Sequence, residues 1–476
     1  LHTTRQHARA LLPLLHPLLL FPSPFPPTPT FQPHHRLSSP HFPRSLFLSL
    51  ASSLSSSLSS SKSPCPSIPH TTPALPHCNS CALMALRHRV EVTEGAFEVR
   101  HAGGQRGLGV FSRAALPAGT VLFKEHPIVA MQHLNNRAQG VVVCDRCFRF
   151  LGPIEEQIRS LLVSADRSCA SLPPSLPQLA SSAALPLPVP CPGGCALRFC
   201  SEQCAADNFA EQHRLLCHGA ASGAASSSVD AMMVETAASP ASEALAKFES
   251  HAAKSNEIFL LAAKAMALVI TAVNGGVSLE TALEPFPGPP WWEAVATPDD
   301  VTDEAQFRDT LRQLLQESFQ LLFPILSPHA TPPCAPLFGD VLVYARMVGS
   351  FERRNCAVQV ASPVEAYFLA VDAMEESDSK RQLMAVTSPV LDALDEAYAT
   401  PCEGTGIFPL QATLNHSCEP NVSLLKDGPD EEDGRVVARV SRDVAPGAPP
   451  PPRSGSAAAT RPTAPACRRR GAVQCV

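Results

Sequence analysis

Alternating apolar and polar positions begin at Val90 and predict short β-strands, as in Phe97-Glu-Val99. Turn residues separate these runs, namely a glycine loop at Gly107 and Gly109 and a turn at Pro117-Ala-Gly119. Glycine and proline at such places favour tight connections between strands. Because no helix follows the glycine pair at the spacing of a nucleotide-binding fold, we do not expect a dinucleotide site here.

Helical spacing replaces alternation farther along the chain. Ser255 can cap a helix over residues 256–274, and Gly275 can end it. Lys264 and the shortness of the apolar run favour a buried helix over a membrane span. We therefore expect this first long helix to pack inside the protein.

A second long helix is predicted over residues 307–322, where apolar residues recur at helical spacing until Pro324. Trp291 and Trp292 lie between the two helices, and we interpret them as core or docking aromatics rather than a ligand cage. A more polar helix is predicted over residues 377–399. The acidic stretch 427–433 is interpreted as a solvated turn of a hairpin.

Composition bounds these predictions. The chain has 476 residues, 45% hydrophobic and 17% charged, which supports one large or two ordinary domains with a real core. Its net charge of −6, without a basic cluster, argues against direct nucleic-acid binding. The 49 prolines lie mostly before Met84, within residues 173–192 and after Pro446, so we discount these stretches as core.

Residues 1–83 are rich in Ser, Pro, Leu and His, contain no Asp or Glu, and begin with Leu1 rather than methionine. Such a leader is compatible with an organelle transit peptide. An equally plain interpretation is translated upstream sequence attached to a fragmentary gene. On either interpretation, the pair Cys78 and Cys81 within it is a chance spacing.

Eight soft metal ligands in four closely spaced pairs are the strongest chemical signal: Cys144 and Cys147, Cys191 and Cys195, Cys200 and Cys204, His213 and Cys217. Two tetrahedral zinc sites need eight such ligands, and pairs two to four residues apart can reach one ion. Disulfides are the alternative, but they need an oxidising compartment. Because all the ligands are protein side chains, no position is left for substrate, and the predicted role of the zinc is structural. A helix is predicted over residues 201–216.

A second informative stretch is Asn415-His-Ser-Cys-Glu-Pro-Asn421. It resembles the signature of SET-domain protein-lysine methyltransferases, and Arg106-Gly-Leu-Gly109-Val-Phe is similar to their N-terminal cofactor loop. The cysteine-rich segment between them resembles a MYND zinc finger. This layout is that of the SET-and-MYND family, and further short motifs within residues 90–447 look most like its plant and green-algal trithorax-related branch.

The resemblance implies an α+β fold: a SET-type β fold of short strands with a threaded loop, split by a MYND zinc finger and accompanied by a helical region. The implied domains are a disordered leader or mistranslated upstream sequence, the N-terminal SET part, the MYND-type finger with a loop insertion, a helical insert or linker region, the C-terminal SET part, and an aberrant Pro/Ala/Arg-rich tail. In the same order they cover residues 1–83, 90–143, 144–217, 218–400, 401–447 and 448–476.

The family pattern also implies how ligands are shared. In MYND fingers the first and third pairs hold one ion and the second and fourth hold the other. One structural Zn²⁺ would thus take Cys144, Cys147, Cys200 and Cys204, and the second would take Cys191, Cys195, His213 and Cys217. The finger is expected to bind a peptide or to steady the neighbouring SET half.

The activity implied is transfer of a methyl group from S-adenosylmethionine to a lysine amine of a histone or another protein. The implied cofactor-binding residues are Arg106, Gly107, Leu108, Gly109, Asn355, Asn415 and His416. Phe408 and Leu414 would be apolar walls. We expect a nuclear location, with the cytoplasm and, through the leader, an organelle as alternatives, and no membrane partner.

The chain departs from the family after Gly447. Where an edge strand and a Ser-Tyr pair are expected, the prolines 449–452 follow, and residues 448–476 contain no tyrosine. The catalytic residue is therefore unknown, and Cys418 has no clear zinc partner. One hypothesis for the abrupt change at Ala448 is a reading-frame slip or a mis-joined exon. The alternative to an active methyltransferase is an inactive SET/MYND scaffold that recruits protein partners through its finger.

Overall fold

The computed structural model describes residues 90–103, 107–179, 184–219, 240–417, 420–424, 426, 432–446 and 474–475. The leader 1–83, Arg106, Cys418 and most of the tail 448–476 lie outside the described residues, as does the side chain of His416. Helices and short antiparallel strands are mixed along the described part. The predicted α+β class is confirmed.

Short strands form where the sequence alternates. The described strands are β1 (Val90–Val92), β2 (Phe97–His101), β3 (Leu108–Ser112), β4 (Val121–Glu125), β5 (Val129–Gln132), β6 (Val189–Pro190), β7 (Arg198–Phe199), β8 (Asn355–Val360), β9 (Cys402–Ile407), β10 (Asn415–His416), β11 (Val422–Ser423), β12 (Val436–Val440) and β13 (Gln474–Cys475). All of their pairings are antiparallel.

Two sheets bring distant parts of the chain together. The larger has the order β1-β4-β12-β11-β13-β10, so β4 lies between two neighbours and its last residue, Glu125, faces Val90 on one side and Val436 on the other. The second sheet has the order β5-β9-β8. In it, residues 129–132 pair with residues 404–407 across the whole inserted region. The pairs β2-β3 and β6-β7 form smaller ribbons.

Helices occupy most of the described chain between the finger and β9. The described α-helices are α1 (Leu134–Ala138), α2 (Ile154–Ser164), α3 (Glu202–Glu211), α4 (Pro240–Ser255), α5 (Ile258–Asn274), α6 (Leu279–Leu283), α7 (Trp291–Ala294), α8 (Glu304–Leu326), α9 (Pro336–Gly339), α10 (Val341–Arg354), α11 (Pro363–Asp372) and α12 (Asp378–Leu394). Short 3₁₀ turns follow at 213–215, 327–329, 332–334, 395–399 and 411–413. Among the described residues, no helix combines the length and the apolarity needed to span a bilayer.

The first long helix is apolar on nearly every side and buried, as predicted. The predicted cap, however, is wrong. Ser255 ends the preceding helix α4, where its hydroxyl donates to the His251 carbonyl at 2.6 Å. Asn256 instead accepts from the Ile258 amide at 3.0 Å, which satisfies one free donor of the new helix. Gly275 ends the helix as expected.

The second long helix does not end at Pro324, so that prediction is also wrong. α8 continues to Leu326, although proline has no amide hydrogen for the carbonyl four residues earlier. Ile325 and Leu326 are buried in the helical core, at 7% and 0% exposure. Burial of this last turn therefore outweighs the missing hydrogen bond.

Asp433 corrects the interpretation of the acidic stretch, of which residues 427–431 lie outside the described part. Its side chain is buried, and it accepts hydrogen bonds at 3.0 Å from both the backbone amide and the Nε of Arg435. The prediction of a solvated turn is wrong for this residue, because a local charged partner offsets the cost of burial.

Three apolar clusters make up the described core. The helical one centres on α5 and includes Trp291, whose ring centroid lies 5.4 Å from that of Phe259. The prediction that Trp291 is a core aromatic is confirmed. A second cluster joins the sheets to α2, α11 and α12. The third is small and consists of Cys ligands with Leu151, Phe199 and Ala205.

Candidate functional site

The first and third cysteine pairs meet in the finger. Cys144, Cys147, Cys200 and Cys204 bring their sulfur atoms within 4.8 Å of one another. Cys147 and Cys200 are 3.4 Å apart, and Cys200 and Cys204 are 3.5 Å apart. Ser201 caps α3 by accepting from the Cys204 amide at 3.1 Å, which fixes the start of the helix that carries Cys204.

The second and fourth pairs meet in the same way. The sulfur atoms of Cys191, Cys195 and Cys217 and a ring nitrogen of His213 also lie within 4.8 Å of one another. The Cys195 sulfur is 3.1 Å from His213 Nε2, and the Cys191 and Cys217 sulfurs are 3.8 Å apart. A Cβ atom at Gly193 would overlap the Cys217 sulfur, so the glycine gives this knuckle room to close.

The charge state of His213 suits a metal ligand. Burial, followed by the nearby Lys264 ammonium, lowers the pKa of His213 to about 4, so the imidazole is neutral at physiological pH. Lys264 comes from α5 and donates to the Ala130 carbonyl of β5 at 2.9 Å. The finger, the helical core and the sheet thus meet at this lysine.

Arg146 fastens the first knuckle to α3. Its guanidinium pairs with Asp207 at 2.7 Å and with Glu211 at 3.1 Å. Both acids lie on α3, and the arginine is only 21% exposed. The two-residue gap between Cys144 and Cys147 is therefore tied to the helix that carries Cys204.

The spacing of both groups suits a tetrahedral metal ion rather than disulfides. With metal–sulfur bonds of about 2.3 Å, the sulfurs around a tetrahedral zinc lie about 3.8 Å apart. The observed sulfur–sulfur distances are 3.4, 3.5 and 3.8 Å, whereas a disulfide measures about 2.05 Å. All the cysteines of both groups are free thiols. Each group therefore offers four soft ligands to one metal ion, and each is able to hold zinc.

The predicted cofactor loop lies against the predicted threaded loop. Asn415 Nδ2 donates to the Leu108 carbonyl at 3.1 Å, across 307 residues of sequence. A Cβ atom at Gly109 would lie 2.9 Å from Asn415 Nδ2, so any larger residue here would displace the Asn415 amide or its own backbone. Gly107 has a φ of +67°, which glycine adopts without strain. Arg106 is outside the described residues.

The two remaining predicted cofactor residues, Asn355 and His416, lie on different strands. Asn355 begins β8 and pairs with Ile407, and Phe408 follows directly. His416 belongs to β10 through its backbone. The predicted walls Phe408 and Leu414 are 0% and 5% exposed. Two buried apolar residues, Phe408 and Leu414, thus flank the turn that leads from β9 to Asn415.

Glu125 was missed by the sequence analysis. It is 1% exposed, and its two carboxylate oxygens accept from the backbone amides of Leu410 and Gln411, each at 2.8 Å. Burial raises the pKa of Glu125 to about 7, although these two hydrogen bonds lower it. The available signal was a carboxylate closing the apolar run that begins at Val121.

Two of the three tyrosines have hydroxyl groups engaged elsewhere. Tyr344 is buried in the helical core, where its hydroxyl lies 2.8 Å from Ser318 Oγ. The Tyr367 hydroxyl donates to the Pro177 carbonyl at 3.0 Å. Neither stands in for the channel tyrosine that the family pattern expects, and the catalytic residue stays unassigned.

Comparison with known proteins agrees with this geometry. The SET domain family matches residues 107–449. Histone-lysine N-methyltransferase ATXR2 of Arabidopsis thaliana is 32% identical over 402 residues, which cover 71% of this chain and 80% of that protein. Protein-lysine N-trimethyltransferase SMYD5 of Danio rerio is 24% identical over 338 residues, covering 68% of this chain and 72% of the relative. Its human counterpart is 31% identical over 140 residues, or 29% of this chain and 30% of the relative.

The matched region includes both halves of the site and the inserted finger, and the resemblance to SET-and-MYND proteins and to the trithorax-related plant branch is confirmed. Both kinds of relative are named lysine methyltransferases. The chain therefore belongs to the SET-domain family of protein-lysine methyltransferases, which use S-adenosylmethionine as the methyl donor.

Proposed function

We propose that this chain methylates lysine side chains of histones and that residues 106–109, Asn355, Asn415 and His416 form its cofactor pocket. The observation that carries the proposal is the hydrogen bond from Asn415 to the Leu108 carbonyl, which brings two distant motifs into contact. When bound, S-adenosylmethionine supplies an electrophilic methyl group on a sulfonium. The task of the protein is to orient the lysine amine and to keep water out.

Each part of the pocket has a role that its chemistry supports. The loop at Gly107 and Gly109 offers backbone groups without side chains, which suits close approach of a ligand. Asn415 and His416 offer hydrogen-bonding groups for the cofactor amine and adenine. Phe408 and Leu414 are the proposed apolar walls, and their burial favours a water-poor environment.

Histones are the proposed substrate because the Arabidopsis relative is named a histone-lysine methyltransferase. The net charge of −6 also favours approach of a strongly basic substrate. A nuclear location is proposed with the histone substrate, and the cytoplasm is the alternative.

Two structural zinc ions are part of the proposal, one for each four-ligand group. The donors are thiolates and a neutral imidazole, which are the ligands that zinc prefers. Four protein ligands per ion leave no open position, so the ions would hold the finger rather than act on substrate. The finger, so held, would bind a peptide partner or support the sheet through Lys264.

The proposed division of the chain follows the predicted domains. Residues 90–143 and 401–447 would form the SET part, which is interrupted by the finger at 144–217 and the helical region at 218–400. The pairing of β5 with β9 supports this division, because it joins the two outer segments into one sheet.

The second candidate is an inactive scaffold, and it rests on one observation: residues 448–476 contain no tyrosine. Without a channel hydroxyl, orientation of the lysine amine would be incomplete. The zinc finger could still recruit partners in such a protein.

Transfer of a labelled methyl group to core histones tests both candidates. The zinc-loaded full chain is compared with its N415A variant and with a chimera in which the C-terminal segment of the Arabidopsis relative replaces residues 448–476. Labelling by the full chain that is lost in N415A supports the methyltransferase. Labelling by the chimera alone assigns the scaffold role to this chain. If neither protein labels histones nor binds S-adenosylmethionine, the methyl-transfer proposal is wrong.

A further inference from the structure

We infer that Glu125 is a positioning residue of the cofactor pocket, which holds the turn at 410–413 so that Asn415 meets the cofactor loop. The inference deepens the proposed function and rests on it. Glu125 belongs to neither predicted cofactor motif. It acts through the backbone amides of Leu410 and Gln411.

The contact is a two-point clamp. One carboxylate oxygen accepts from the Leu410 amide and the other from the Gln411 amide, each at 2.8 Å. Two acceptors on one rigid group fix the orientation of a peptide segment as well as its distance. Glu125 ends β4, which pairs with β1 on one side and β12 on the other. The carboxylate that holds the turn therefore belongs to an interior strand of the large sheet.

The clamped turn is short and leads straight to the site. The Thr413 amide donates to the Leu410 carbonyl at 3.0 Å, and the Leu414 amide donates to the Gln411 carbonyl at 3.0 Å. Asn415 is the next residue, and its side chain reaches Leu108. If the turn shifts, Asn415 must therefore shift with it, because only Leu414 lies between them in the chain.

Holding a turn with a buried carboxylate carries a large desolvation penalty. Burial raises the pKa of Glu125 to about 7, which shows that its charged form is disfavoured there. A water-exposed turn would satisfy the same amides with solvent. Perturbed ionisable groups concentrate at functional sites, and this one adjoins a predicted cofactor pocket.

A carboxylate with a purely structural role would affect stability but not cofactor affinity. A second glutamate that holds two neighbouring residues provides the comparison. Glu257 accepts from the Leu134 amide at 2.8 Å and lies 2.6 Å from His133 Nδ1. It therefore also holds two neighbouring residues, but at the start of α1. Loss of Glu257 should lower stability without changing cofactor affinity.

The test measures S-adenosylmethionine binding to the zinc-loaded full chain by calorimetry. E125L and E125Q have similar volumes, but only glutamine retains an acceptor oxygen. We expect E125L to weaken binding by about tenfold and E125Q by no more than about threefold, because one of two backbone donors regains a partner. E257L should bind as the wild type does.

The outcomes distinguish failure of the role of Glu125 from failure of cofactor binding by the whole chain. If the wild type binds the cofactor and E125L binds it equally well, or if E125Q loses as much affinity as E125L, Glu125 does not position the pocket. If the wild type itself binds no cofactor, the proposed function fails and the inference falls with it.

Should E125L fail to fold, E125D replaces it. Aspartate keeps the charge but shortens the reach to Leu410 and Gln411, and binding should weaken by about threefold. Unchanged affinity in E125D would overturn the inference.

Discussion

The ionisation of Glu125 links one residue to the stability of the whole chain. Burial raises its pKa from 4.5 to about 7 in the folded protein, so folding favours the protonated carboxyl. The resulting stabilisation is fully present below about pH 4.5 and is lost as the pH rises through about 7. The difference corresponds to roughly 3 kcal/mol, at about 1.36 kcal/mol for each pKa unit.

The E125Q variant should lack this dependence because its amide does not titrate. Urea unfolding of the wild type and E125Q at about pH 5 and about pH 8 measures it. The free energy of unfolding of the wild type should fall more between the two pH values than that of E125Q. The other titrating groups contribute equally to the pH dependence of both proteins, so the difference between the two proteins reports Glu125 alone. Parallel stability changes would contradict the assigned pKa.

A methyl group at Gly109 should disturb the same site from the other side. In G109A the added Cβ would lie 2.9 Å from Asn415 Nδ2 and 3.0 Å from the Phe111 ring. One of these groups must move, and we expect cofactor affinity to fall by about tenfold.

Gly95 provides the control for this substitution. It lies two residues before β2, with a φ of +71° and open space around the position that a Cβ atom would take. G95A should lower stability by about 1 kcal/mol through backbone strain and leave cofactor binding unchanged. Cofactor binding is measured by calorimetry. If G109A and the wild type bind S-adenosylmethionine with equal affinity, Gly109 is not part of the cofactor pocket.

At the scale of elements, local signals predicted four of the twelve described α-helices, and not all of their ends. α12 begins after Ser377, whose hydroxyl accepts from the Lys380 amide at 3.1 Å, and this cap is readable from the sequence. Pro324 was equally readable but misleading, because burial of the following residues decides where α8 ends. α4 was not predicted, since its weakly apolar face depends on contacts with α8 and α5.

The link between α7 and α10 gives an element-scale prediction. The Trp291 ring nitrogen donates to Glu352 at 2.8 Å, and burial raises the pKa of this carboxyl. W291F removes the donor but keeps an aromatic ring, so the partly buried carboxyl loses a partner. We expect a loss of about 2 kcal/mol in the free energy of unfolding, measured with urea.

The neighbouring Trp292 is the matched control. It is partly exposed, and the Arg312 guanidinium lies 5.3 Å from its ring centroid, which phenylalanine can also accept. W292F should change stability by no more than about 0.5 kcal/mol. If W291F were as mild, the hydrogen bond to Glu352 would not hold α7 to α10.

At the scale of the whole molecule, the sequence predicted which motifs carry the site but not how the protein supports them. Cys144 and Cys217 could be identified as metal ligands because ligand type and spacing are chemical constraints that local sequence displays, and the family resemblance then implied the group of each. Glu125 could not, since its role depends on β4 lying beside a turn that is 285 residues away. Long-range pairing of this kind leaves no periodic trace.

The finger has an apolar cluster of its own, so we expect metal removal to unfold the protein only locally. The cluster of the finger is small and contains the ligands themselves, whereas the helical and sheet clusters contain none of the eight. Structural zinc contributes about 10 to 16 kcal/mol in isolated fingers, far more than this small cluster can supply. A strong chelator should therefore unfold the segments around the eight ligands, with β6, β7 and α3, and leave α2 and the helices of the main core largely intact.

Metal content and circular dichroism measure this together. The wild type should carry about two zinc ions, and C204S and C217S about one each, because each loses a ligand of a different group. C169S should retain both ions, since Cys169 belongs to neither group. After chelation, proteolysis should begin within the finger while most of the helical signal remains. Loss of the whole helical signal would mean that the finger, through Lys264 and α5, holds the main core together.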